Sequence, residues 1–61
     1  MQIKERRLQA GLTQKQLAGK MNVDQSAVSL WEAGKARPAR KHQKKLAKIL
    51  HCTVDELLGE K

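Results

Sequence analysis

Apolar residues in this chain recur at helical spacing and never alternate over the length of a strand. The clearest run is Thr13 to Gly34. Thr13 and Gln16 have the spacing of a capping box, in which hydroxyl and amide satisfy free N–H groups at a helix start. Leu17, Ala18 and Met21 then recur at i, i+1 and i+4 and predict one apolar face. Asn22 tolerates the left-handed backbone that ends a helix, and Asp24 suits an N-cap. In the segment after it, Val28 and Trp31 sit three apart on the inner side, and Gly34 suits the C′ position. Gln25, Ser26 and Ser29 point elsewhere, small and polar.

The flanks follow the same rhythm. Residues 1–10 predict a first helix ended by Gly11, with Ile3, Arg7 and Ala10 on one face and Leu8 at its flank. Arg7 therefore lies near the core. A guanidinium there either pairs with a carboxylate, for which Glu32 is the candidate, or snorkels to water. Leu12 should plug the core between the first two helices, and Val23 should pack just before the third. Pro38 and Ala39 are expected to open a fourth helix, since proline suits the first turn. Leu46, Ala47, Ile49 and Leu50 form its inner face. Thr53 and Glu56 repeat the capping-box spacing and open a short fifth helix with Val54, Leu57 and Leu58, ended by Gly59. The expectation is a five-helix all-α fold, one domain over residues 1–61. Two of its helices, over about residues 14–33, are joined by a tight turn as a helix-turn-helix, a pattern that enters a DNA major groove.

Charge sharpens the picture. Lys and Arg number 13 against 6 acids, a formal +7 on 61 residues, which calls for a polyanionic partner: DNA, RNA or an anionic membrane. Trp31 is the only aromatic, so the stacking ladder of single-strand binders is missing. A membrane role is disfavoured because the apolar side of the basic helix, Leu46, Ile49 and Leu50, is needed in so small a core. No apolar run approaches the roughly 20 residues of a membrane span. Cys52 is the only cysteine, so no disulfide forms, and a reducing cytoplasm is expected. Cys52 reads as a small core residue, or less readily as a reactive thiol. One cysteine and two histidines without ligand spacing predict no metal site. With no clustered carboxylates and no glycine-rich phosphate loop, no catalytic residues and no cofactor are expected.

Several side chains are candidates for nucleic-acid contact, each with a plain surface role as its alternative. Gln25, Ser26 and Ser29 are short enough to reach base edges, and Ala27 and Leu30 could meet a thymine methyl. Gln14, at the start of the second helix and expected to be exposed, could bond a phosphate or simply be solvated. The run from residue 35 to 45 holds Lys35, Arg37, Arg40, Lys41, Lys44 and Lys45 with no acid, and Lys48 follows. Lys35, Arg37, Arg40 and Lys41 are the candidate phosphate contacts. The alternative for such a run is a solvated face, with a nuclear-localisation signal a weaker reading.

The string GLTQKQLAGKMNVDQSAVSLWEAGKARP resembles the phage-repressor/Cro-type helix-turn-helix family, also called the xenobiotic-response-element family of bacterial and phage regulators. Gly11, Leu12, Thr13, Gln14, Leu17, Ala18, Val23, Val28, Ser29, Trp31, Glu32, Gly34 and Pro38 carry the resemblance, and Thr53 to Leu58 extend it in register from Ile3 to the last helix. It implies a lambda-repressor-like domain that binds operator DNA, usually as a dimer on a near-palindrome. It implies phosphate contacts at Gln14 and around Lys35 and Arg37, base reading at Gln25, Ser26 and Ser29, and an Arg7–Glu32 pair. The chain departs from the family pattern at several places. Asn22 and His51 stand where glycine is usual, Ala33 where a polar residue is frequent, and Arg40 and Gln43 where leucines are common.

The resulting expectation is a sequence-specific double-stranded DNA-binding transcriptional regulator. It is taken as a repressor that excludes polymerase, in the cytoplasm of a bacterial or phage-infected cell. Activation through an acidic patch at Asp55, Glu56 and Glu60 comes second. The alternative is a protein-interaction module, such as the antitoxin of a toxin–antitoxin pair, with DNA binding secondary. The apolar last helix could form a homodimer contact or merely close the core.

Overall fold

The structure, a computed structural model, describes residues 2–59. Met1, in the expected first helix, and Glu60, in the expected acidic patch, lie outside the described residues. The elements are α1 (Ile3–Gln9), α2 (Gln14–Met21), α3 (Gln25–Ala33), α4 (Arg40–Ile49) and α5 (Val54–Leu58). No strand occurs among the described residues. α2 packs on α3, α4 on α2 and α5, and α1 on α3 and α5.

The core gathers one stripe from every helix: Ile3, Leu17, Ala18, Met21, Val28, Trp31, Leu46, Leu50 and Leu57, with Leu12, Val23, Ala27, Ile49 and Cys52 packed against it. Each large side chain so buried contributes on the order of 1.5–3 kcal/mol. Burial also pushes the Cys52 thiol pKa up, with Glu56 adding to the rise and Arg6 opposing it.

Local hydrogen bonds set the helix ends. Thr13 Oγ1 accepts from the Gln16 N–H at 3.0 Å, and the Thr13 N–H donates to Gln16 Oε1 at 2.9 Å. Thr53 and Glu56 repeat the box at α5. Asn22 ends α2 at φ 59° and Gly34 ends α3 at φ 76°, both left-handed. Such a φ is costly for most residues and tolerated by asparagine and glycine.

Three local expectations are corrected. Asp24 occupies the N-cap of α3, but its side chain accepts no capping hydrogen bond. The Ala27 N–H, the donor an N-cap side chain would serve three residues on, donates instead to the Asp24 backbone carbonyl at 3.0 Å. Pro38 and Ala39 do not begin α4. Ala39 is its extended N-cap, and Pro38 is buried one residue earlier, where its carbonyl accepts from Gln43 Nε2 at 3.0 Å. Ala10 is exposed and not on the inner face, because α1 has already ended at Gln9.

Candidate nucleic-acid interface

α3 is two-sided by helical phase. Val28 and Trp31 are buried, whereas Gln25, Ser26, Ser29 and Leu30 are exposed, Leu30 at 43%. Ala27, expected beside them, is half-buried and packs against the core, so its methyl is turned away from that surface. At nine residues α3 is about 13 Å long, close to the roughly 12 Å width of a major groove.

The segment after α3 is shaped by its carbonyls. The N–H groups of Lys35 and Ala36 donate to the Leu30 carbonyl at 3.0 and 3.3 Å, wrapping the chain back over the helix end. This places Lys35 and Arg37 on the surface, followed by Arg40 and Lys41 in the first turn of α4. The basic run does not form one face. Lys41 and Lys45 border a cleft of about 310 Å³ with Met21, Asn22 and His42.

Behind α3 lies a polar clamp. Glu32 Oε2 accepts from Arg7 Nε at 2.7 Å, while Oε1 accepts from Arg7 Nη2 at 3.3 Å and from Gln14 Nε2 at 3.0 Å. Arg7 Nη1 donates to the Leu12 carbonyl at 2.7 Å. Burial alone would raise the Glu32 pKa. Hydrogen bonds from Arg7 and Gln14, with the charges of Arg7 and Lys4, outweigh it and hold the carboxyl below its ordinary value. The clamp joins α1, the α1–α2 link, the start of α2 and the end of α3. Gln14 is accordingly half-buried, not exposed as expected, and its amide is turned toward Glu32.

Two contacts escaped the sequence reading. The rings of Trp31 and His42 lie 5.6 Å apart, tilted by 43°. His42 precedes Leu46 by one helical turn, and that spacing could have placed it on the inner side. Arg6 Nη2 pairs with Glu56 Oε2 at 3.3 Å and ties α1 to α5. In α5 itself Leu57 is buried, and Val54 and Leu58 are half-buried. Leu58 borders a groove of about 590 Å³ whose other walls include Trp31, Gly34, Lys35 and Arg37. Among the described residues, no three His, Cys, Asp or Glu side chains form a metal-binding group, and no helix is long and apolar enough to cross a membrane.

Comparison with known proteins adds a family. Residues 3–57 match the helix-turn-helix family. The chain is 44% identical over 48 residues to the HTH-type transcriptional activator BcrR of Enterococcus faecalis. That match takes in 79% of this chain but 24% of the relative, so the chain spans about a quarter of that relative's length. No solved structure matches the chain.

Proposed function

The chain belongs to the helix-turn-helix family, and from that premise we propose that it is a sequence-specific regulator of transcription that reads duplex DNA with α3. The observation that carries this reading is the exposed face of Gln25, Ser26, Ser29 and Leu30, backed directly by buried Val28 and Trp31. Glutamine matches the adenine N6 and N7 edge, serine serves donors or acceptors, and leucine meets a thymine methyl. Lys35, Arg37, Arg40 and Lys41 brace the helix on the phosphate backbone. Gln14 joins them through the amide hydrogen not given to Glu32, near the positive end of α2.

Repression by occupying a promoter needs nothing more than this contact. The relative in Enterococcus faecalis is named an activator, and activation needs a further contact with polymerase. Repression is favoured here because Glu56, one acid of the patch that activation would use, is paired with Arg6. Dimerisation through Leu58 and its groove would set two copies of α3 about 34–36 Å apart on a near-palindrome.

Selection from random duplexes at two salt concentrations tests the proposal. Enrichment of paired half-sites about one helical turn apart is the expected result. Equal recovery of all sequences would leave a cationic helix bundle with no reader.

A further inference from the structure

The C-terminal ends of α1, α2 and α4 surround an open groove of about 650 Å³ lined by Ala10, Leu12, Lys20, Lys48, Ile49 and His51. Its two halves differ in chemistry. Ala10, Leu12 and Ile49 offer aliphatic surface, while Lys20, Lys48 and His51 are exposed around them and no carboxylate lines the groove. Neither lysine forms an ion pair with a described residue; each stands in the last turn of its helix, so only the helix dipole partly offsets its charge. None of the residues assigned to DNA lines the groove.

His51 adds a second peculiarity. Its φ is 56°, in the left-handed region that glycine occupies without steric cost. A side chain held there places an imidazole at the groove's rim, where it can donate to a carboxylate.

We propose that this groove docks an acidic segment of a partner protein, one carrying a branched aliphatic side chain between carboxylates. The aliphatic group fills the apolar half, and the carboxylates meet Lys20, Lys48 and His51. Charge complementarity selects an acidic partner. The apolar half selects a polypeptide, since a phosphate backbone brings anions but nothing aliphatic to bury. The inference does not rest on the DNA reading, because the two surfaces share no residue.

The test uses a fluorescein-labelled, end-capped peptide of glutamates with leucine at every fourth position, and a second peptide with serine in place of leucine. Fluorescence anisotropy should show the leucine peptide binding about tenfold more tightly than the serine peptide, the gain of burying an aliphatic side chain. The double variant Lys20→Gln/Lys48→Gln should lose about tenfold for the leucine peptide while staying folded by circular dichroism, its urea midpoint falling only slightly as two last-turn charges are removed. Amide NMR shifts should move at Ala10, Leu12 and Ile49 and stay fixed from Gln25 to Leu30. The groove is ruled out by no binding of the leucine peptide, by equal affinity for both peptides, by unchanged binding in the double variant, or by shifts confined to α3. Vesicles of anionic lipid that displace the peptide and shift the same amides would also overturn the assignment, in favour of a lipid surface.

Discussion

Arg7 and Glu32, 25 positions apart in sequence, meet with Nε donating to Oε2 at 2.7 Å and side chains only 9% and 6% exposed. Ion pairs so sealed are stable only when every remaining donor and acceptor is served. Here Gln14 and the Leu12 carbonyl complete the set, and no buried side-chain nitrogen or oxygen among the described residues lacks a partner. Removing either partner leaves the other uncompensated. Arg7→Ala or Glu32→Ala should therefore cost about 3–5 kcal/mol. A domain of this size has only about 3–9 kcal/mol of stability in total. Urea titration followed by helical circular dichroism should find the single variants largely unfolded. Arg7→Met/Glu32→Leu, which removes both charges and keeps the volume, should be far milder.

The same pair makes the fold acid-sensitive in a defined direction. The Glu32 carboxyl is held below its ordinary value when folded, so the unfolded chain binds a proton first as pH falls. Its stabilisation is complete above the unfolded pKa and disappears as pH drops through the folded one. Thermal unfolding between pH 7 and pH 2 should show melting temperature falling in that acid window. Glu32→Gln should flatten the decline, though from a lower starting stability.

Capping gives a paired comparison. Thr13 makes a reciprocal box, whereas the Asp24 side chain makes no capping bond. Thr13→Ala should cost about 1 kcal/mol, and Asp24→Ala distinctly less, its remaining share being the carboxylate's attraction to the α3 dipole. Equal losses in chemical denaturation would mean that Asp24 caps after all in solution.

DNA binding separates readers from braces. Arg40→Gln or Lys41→Gln should weaken all duplexes alike and reduce the slope of log affinity against log salt by about one. Gln25→Ala or Ser26→Ala should leave that slope alone and relax base preference at one or two positions, at about 1–3 kcal/mol on the best site. Filter binding or anisotropy across a salt series distinguishes the two outcomes.

Apart from the Arg7–Glu32 pair, which the family resemblance implied, what could be read from the sequence was what acts within a few residues. The caps at Thr13 and Thr53 depend on partners three positions away, and the phase of Val28 and Trp31 is enough to turn Gln25, Ser26 and Ser29 outward. Pro38 was misplaced because its local preference for a helix start yielded to burial and to the Gln43 hydrogen bond on its carbonyl. The inward turn of Gln14, the Trp31–His42 contact and the Arg6–Glu56 pair all join segments brought together by packing. Local residue preferences do not report those partners, although the spacing to Leu46 does put His42 on the inner side of α4. Ala27 shows a related point: one position on a helix boundary can face either side, and the close packing of α2 on α3 decides it.

The chain nearly closes on itself. The Gln2 N–H donates to the Leu57 carbonyl at 2.7 Å, and the Gln2 side chain lies over Gly59, where an added Cβ would meet it at 3.6 Å. A short covalent splice could join residues 59 and 2 without disturbing a helix. Such a unit can be circularly permuted, or grafted into a host's surface turn with both seams at a single spot, while α2 and α3 keep their mutual pose.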